Sequence, residues 1–304
     1  MIDLSSERKR ILLESGVQKT WQITVYDDNG PAFTIPTSKM VDDSISIEEP
    51  LCTTETLDVG ACESAIFSIK LADLDATTFK GRKIVVTLNA LQDNVSVALN
   101  MGEFWVDDVT HPNNTWYYQL TAYDNMVKFD VKASQWYRSL QLPMTLRNFR
   151  TSLCAFVGVA VAPDQTLPLD DLVVKRYDDI DVNITARQIL HMIAEINGCF
   201  AHINREGQLK FVYLNDTSCI TLAEGGADCY KPSATHENWR TTEIGAGIAY
   251  SLNNEQGVTY PSTGGFNALT VSDNFFCYDM SDEELARVAH TMYQALAGIT
   301  YVAH

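Results

Sequence analysis

The clearest change of period along the chain falls within residues 182–213, VNITARQILHMIAEINGCFAHINREGQLKFVY. Ile189, Leu190, Ile193 and Ile196 recur at steps of three and four, which predicts a helix with one apolar face. Its start is marked three times over. The Thr185 hydroxyl can accept from the backbone N–H of Gln188, the Gln188 side chain can reach back, and Ile184 can staple onto Ile189. Asn197-Gly198 supplies the stop, because glycine enters the left-handed region without a Cβ clash. The period then falls to two. Phe200 and His202 oppose Ala201 and Ile203 in one strand, and Leu209, Phe211 and Tyr213 share a face of the next, across the turn at 204–207. The run reads as helix, stop and hairpin with a single buried side.

Upstream the pattern is almost all of period two. Trp21, Ile23 and Val25 alternate with polar neighbours, as do Ile45 and Ile47, and then Phe67, Ile69 and Leu71. Further strands are predicted at 83–91, 95–99, 103–109 and 116–122. Asp27-Asp28-Asn29-Gly30-Pro31 is a turn by composition, and Gly60, Gly81 and Asn113-Asn114 punctuate the rest. Short strands at this spacing argue for an antiparallel barrel or sandwich and against alternating β-α units. Residues 15–124 are therefore one β domain. Residues 5–14 have only a weak helical pattern.

After Phe129 the character changes. Thr145 is predicted to cap a helix, with Met144 stapled onto Phe149 and a stripe of Leu146, Phe149, Leu153 and Phe156 that ends at Gly158. An acidic, proline-bearing loop follows at 163–171, and 175–181 is a charged surface run. Downstream, 216–238 is irregular, 242–251, 257–260 and 266–271 read as strands, and a last helix begins at a Ser281–Glu284 capping box. That helix carries Leu285, Val288, Ala289, Met292 and Leu296 on one face and acidic residues in its first turn, where the helix dipole favours them. The expected division is 1–124 as a β-barrel-like domain, 125–213 as a mixed α/β segment, and 214–304 as a second β-barrel-like region with a helix. The fold class is α+β and rich in β: antiparallel barrel or sandwich domains with the mixed segment between or inserted into them.

Composition narrows the function classes. At 304 residues, with 46% hydrophobic and 20% charged side chains, the chain is an ordinary globular sequence of more than one domain. No run approaches a membrane span and the first ten residues hold no apolar secretory segment, so the expected place of synthesis is the cytoplasm. The formal charge of −17 opposes tight binding to nucleic acid or anionic lipid. Acidity serves solubility, and it also suits a pore through which DNA slides without sticking. The seven cysteines are an odd number without a CxxC pair, which favours buried thiols over a zinc site.

Four separated segments carry a family resemblance. ITARQIL, IAEINGCFAHI and GQLKF within 184–211, MGEFWVDD at 101–108, LTAYDNMVKFD at 120–130, and the pair DDSISIEEPLC at 42–52 and LDVGACES at 57–64 resemble, in order, the hub proteins at the tip of long bacteriophage tails. The resemblance implies a structural baseplate or tail-tip hub of a tailed phage or prophage. It implies a homotrimer whose two barrel-like domains per subunit make a six-fold-like ring. That ring would dock on the distal tail ring and close or continue the tail channel, with DNA passing unbound. The implied partners also include other tail-tip proteins or a fibre or lysin extension, and the implied location is the bacterial cytoplasm during assembly and then the virion. In the hub family more β structure follows the last helix.

The search for chemistry assigns no catalytic, cofactor-binding or metal-ligating residue, and no cofactor. Asp42-Asp43, Glu48-Glu49, Asp107-Asp108 and Asp170-Asp171 are adjacent pairs, and neighbours on a strand point to opposite faces. Asp179 and Asp181 can share a face, but no EF-hand spacing follows. His191 and His202, with Glu195 and Glu206, are close in sequence yet lie on elements of different orientation. No nucleophile elbow, P-loop or GxGxxG is present. The alternative is a protein that binds or cleaves cell-wall glycan, with acidic pairs as its carboxylates and Trp105, Trp116, Trp136 and Tyr137 as a sugar platform. Core packing or subunit contact accounts for those aromatics at less cost.

Overall fold

A computed structural model describes residues 17–53, 58–92, 95–163, 165–214, 240–243, 248–252, 255–260, 269–278, 280–296 and 300–303. The expectations for 5–14 and 216–238 lie outside them. The N-terminal part is one antiparallel sheet built from β1 (Gln18–Asp27), β2 (Gly30–Ile35), β3 (Ser46–Glu48), β4 (Ile66–Ala72), β5 (Lys83–Gln92), β6 (Val95–Thr110) and β7 (Tyr117–Tyr123), in the order β2-β1-β5-β6-β7-β4-β3. Alternation dictates its two faces: Ile23, Val25, Phe67, Ile69, Ile84 and Val86 are all at most 1% exposed, while their sequence neighbours point away. Among the described residues no helix covers this apolar face. The sheet curls over it instead, so that Phe67 of β4 and Phe104 of β6 meet with ring centroids 5.5 Å apart and Phe79 joins them from a short 3₁₀ turn. The expected β-rich fold class holds, and no closed barrel forms among the described residues.

Within this sheet the structure corrects two strand readings. The expected strands at 95–99 and 103–109 are a single 16-residue strand, β6. Asn100 pairs with Thr87 and Gly102 with Val86, so Met101 is an extra residue. This bulge shifts the phase by one, which is why Val97 and Leu99 at odd positions and Phe104 and Val106 at even positions are all buried. A second shift falls at Asp107, between Val106 opposite Ala122 and Asp108 opposite Thr121. The strand β2 was not expected at all. Only Ile35 at its end is buried, so it shows no apolar alternation, and it is held by pairing with β1.

The middle of the chain holds a short 3₁₀ helix (Asn125–Asp130), α1 (Ser134–Ser139), β8 (Met144–Thr145), α2 (Leu146–Val157), β9 (Val173–Val174), α3 (Ala186–Ile196), β10 (Phe200–Ile203) and β11 (Leu209–Val212). Both expected caps form: Thr145 accepts from the N–H of Asn148, and Thr185 and Gln188 close a reciprocal capping box. The stripe of α2 is buried at Leu146, Phe149 and Leu153, but Phe156 is 41% exposed and stacks on Trp136 at 5.5 Å. Arg150 is the side chain that α2 buries in its stead, 3% exposed. The expected hairpin of β10 and β11 forms, with Ala201 opposite Phe211 and His202 opposite Lys210.

The C-terminal part contains β12 (Arg240–Glu243), β13 (Ile248–Leu252), β14 (Glu255–Tyr260), β15 (Leu269–Ser272), α4 (Asp282–Leu296) and β16 (Thr300–Ala303). The expected strand at 242–251 is two strands, and β13 pairs antiparallel with β14 and parallel with β15. The α4 capping box forms, with the Ser281 N–H donating to Glu284 Oε2 at 2.8 Å. Its stripe packs into the same core as α2, α3 and the hairpin. Gly198 shows how close the approach is. At φ +65 it ends α3 as expected, and a Cβ there would lie 2.8 Å from the Cβ of Ala295 on α4. No helix among the described residues is long and apolar enough to cross a membrane.

Candidate functional site

The segments that carried the family resemblance lie far apart in sequence, and the structure brings them to one joint between the sheet and the helical segment. The loop at 58–62 runs beside β10: the Gly60 N–H donates to Cys199 O at 3.0 Å and the Ala201 N–H to Ala61 O at 3.1 Å. Gly60, at φ +96, lies directly on α3, where a Cβ would sit 2.7 Å from the carbonyl oxygen of His191 and 2.9 Å from the backbone nitrogen of Glu195. Only a residue without a side chain fits that conformation and that approach. From the sheet side, Asn125 links two of the motifs. It accepts from the Trp105 indole at 2.7 Å and donates to Gly207 O in the hairpin turn at 2.7 Å.

Charged groups lock the same joint. Arg187, in the first turn of α3, is ion-paired with Asp130: its Nε lies 2.6 Å from Oδ1, and its Nη2 donates to Oδ2 at 2.8 Å. Its other donors reach Cys62 O and Ser64 Oγ, each at 3.0 Å. Asp124 is 3% exposed, and its two oxygens accept from the N–H groups of Met126 and Ala65, each at 2.9 Å. It thereby caps the 3₁₀ helix and pins the entry to β4. Burial pushes its carboxyl up to about 6, against the downward pull of those two N–H groups and of Arg187.

Glu195 joins the C-terminal part to this assembly. Its Oε2 accepts from Asn274 Nδ2 at 2.9 Å, and the same nitrogen donates to Met192 O at 2.9 Å, while Asn274 Oδ1 caps the 3₁₀ turn at 275–277. Burial raises the Glu195 carboxyl to about 7, with the Asn274 bond lowering it and nearby Asp58 raising it. A second buried anchor folds the acidic loop inward. Asp170, 6% exposed, accepts from Arg150 at 2.9 and 3.0 Å, from Arg147 Nε at 3.2 Å and from the Leu167 N–H at 3.0 Å. Its neighbour Asp171 instead points outward to Arg287 of α4. Asn197, read in the sequence only as part of a helix stop, accepts from the Leu169 N–H at 3.0 Å and ties the loop to α3.

The sequence candidates for chemistry are dispersed. His191 faces the loop, its Nε2 3.9 Å from Asp58 Oδ1. His202 lies on β10 with Glu49, Lys210 and Arg205 as its charged surroundings, and burial lowers its pKa. Asp181 is used locally, accepting from the Asn183 N–H at 2.9 Å, and Asp179 is exposed. Among the described residues no group of three or more His, Cys, Asp or Glu side chains is arranged to hold a metal ion. Cys62, Cys154, Cys199 and Cys277 are buried, and burial pushes each thiol well up, to about 12 for the last three. Such thiols are poor nucleophiles. Cys219 and Cys229 lie outside the described residues.

The four aromatics of the glycan reading have separate surroundings. Trp105 bonds to Asn125 with the Lys128 ammonium over its ring at 4.5 Å. Trp136 packs between Phe149 and Phe156, and Tyr137 is fully buried with its hydroxyl accepting from the Tyr177 N–H. Trp116 stands 66% exposed after the β6–β7 turn. Clefts of about 270 and 530 Å³ flank Arg187, sharing Glu63 as a second wall residue. Arg187, which alone among the described cations lines both clefts, is already engaged by Asp130.

No protein-family model matches the sequence, and no curated protein does. Among solved structures the chain is similar to the 43 kDa tail protein of prophage MuSo2 from Shewanella oneidensis, at 12% identity, covering 91% of this chain and 77% of that one with a TM-score of 0.52. It is also similar to the prophage tail protein gp18 from Listeria monocytogenes EGD-e, at 15% identity over 88% of this chain and 76% of that one, TM-score 0.48. A third is the tail protein from Neisseria meningitidis MC58, at 14% identity over 90% and 73%, TM-score 0.45. The chain shares a fold with a prophage tail protein over most of both lengths, in agreement with the resemblance its four segments carry.

Proposed function

We propose that this chain is a structural subunit of the tail tip of a tailed phage or prophage, a baseplate hub that assembles as a homotrimeric ring. The fold shared with the Shewanella prophage tail protein across 91% of the chain is the observation that carries this reading. The joint supports it. Its asparagines, its Arg187–Asp130 ion pair and its buried carboxylates are spent on holding one body against another, with backbone groups and other side chains of the chain as their partners. In this reading residues 1–124 and 214–304 supply the two barrel-like bodies of each subunit, and 125–213 fixes the angle between them. The ring docks on the distal tail ring and continues the channel, and the net charge of −17 lets DNA pass without being held.

Light scattering over a concentration series tests the assembly. The expected mass is three times that of the 33.9-kDa chain, with a central opening seen by negative-stain microscopy. A protein that remains a monomer at the highest concentration, and that hydrolyses purified peptidoglycan, is the opposite result.

A further inference from the structure

Beyond the Lys83–Glu103 ion pair, the outward face of the N-terminal sheet has a stretch that carries no charge, although charged residues make up 20% of the chain. It is formed by the outward positions of residues 18–24 in β1, 85–91 in β5 and 96–98 in β6, with Thr34 of β2 at its edge. The side chains there bond sideways to one another: Thr24 Oγ1 lies 3.5 Å from Thr34 Oγ1, and Asn89 Nδ2 donates to Gln22 Oε1 at 3.3 Å. Leu91 adds an aliphatic side chain that is 46% exposed. Farther along β6 the sheet is already packed against, where Asn100 Nδ2 donates to Arg205 O at 2.7 Å and Trp105 bonds to Asn125. Among the described residues the part beside β1 is left open, with Gln18, Gln22, Leu91 and Ser96 exposed.

We infer that this uncharged face is where a second copy of the same chain packs, sheet against neighbouring subunit. Charge selects the occupant. Two chains of −17 each repel, and they can approach closely only through surface that carries none of that charge. A basic partner would gain by meeting the acidic surfaces and gains nothing here. Interface cores are also depleted in charged residues, whereas a solvated sheet face of this size ordinarily carries several. The inference rests on the homo-oligomeric reading above and assigns the surface that makes it.

The test places a cation in the face of the full chain. Arginine lowers the net negative charge, so any general electrostatic effect strengthens association, and only burial of the new charge weakens it. Thr87→Arg, and the more exposed Gln22→Arg should the first fail to fold, are expected to weaken self-association at least about thirtyfold in analytical ultracentrifugation. Asn113→Arg, on the exposed turn after β6, is expected to leave it unchanged. If both face variants assemble as the wild type does, or if Asn113→Arg is equally disruptive, the assignment of this face is overturned while the ring reading stands. A wild type that never associates overturns both.

Discussion

Replacing Asp170 by alanine is expected to destabilise the protein by about 3–5 kcal/mol, because it strands the Arg150 guanidinium in the core without its counter-charge. Arg150 is 3% exposed, with the Phe211 ring 5.2 Å below it and Gln165 O accepting from it at 3.1 Å. Neither neighbour neutralises it. The loop at 165–172 also loses its inner anchor, since Asp170 accepts from the Leu167 N–H as well. The double substitution Arg150→Met with Asp170→Leu is expected to recover most of the loss, as buried ion pairs replaced whole by apolar groups often do. Urea denaturation of the three proteins measures this. A loss below about 1 kcal/mol for Asp170→Ala would mean that water reaches the pair, as in a surface salt bridge.

The second large effect is a dependence of stability on pH. Glu195 has a folded pKa of about 7 against an ordinary 4.5, and Asp124 one of about 6 against 3.8. Both are raised, so the folded state holds protons that the unfolded state has released. Their stabilisation is complete below the unfolded values and is lost as pH rises through the folded ones. At about 1.4 kcal/mol per pKa unit, Glu195 alone corresponds to about 3 kcal/mol between the two limits. The wild type is therefore expected to be more stable at pH 5 than at pH 7.5. Glu195→Gln keeps an acceptor for Asn274 and removes the charge, so it is expected to flatten most of that slope and to gain stability at pH 7.5. Denaturant midpoints at both pH values decide it: an unchanged slope in the variant would mean that Glu195 does not carry the effect.

The parts of the fold that were legible in the sequence are those fixed by neighbours within four residues. The capping boxes at Thr185 and Ser281, the Thr145 cap and the stop at Gly198 all form as their spacing dictates. Strands with one buried face, such as β4, were legible for the same reason. What escaped depends on partners far away. β2 lacks alternation because only the hydrogen bonds of β1 make it a strand, and the bulge at Met101 hides in a run that reads as two strands. Phe156 obeys the helical spacing of α2 but lies beyond the reach of its core, against Trp136.

The joint shows the same division. Asn125, Asn197 and Asn274 are ordinary polar residues in sequence, and each is buried at a crossing of two chain segments. Buried polar groups of this kind must find partners, and their partners are backbone groups 28 to 82 residues away. No local pattern announces that. Asp170 and Asp171 make the point at adjacent positions, one inside with Arg150 and the other outside with Arg287. The four family segments were separately readable because each is a local motif, and their meeting in one place is a property of the fold.

Immunogold electron microscopy of particles induced from the organism that encodes this chain tests the central claim most directly. Antibody raised against the purified protein is expected to label the end of the tail distal to the capsid, in intact particles and in isolated tails alike. Label on the capsid, along the tail shaft, or only on protein that does not sediment with particles would contradict it.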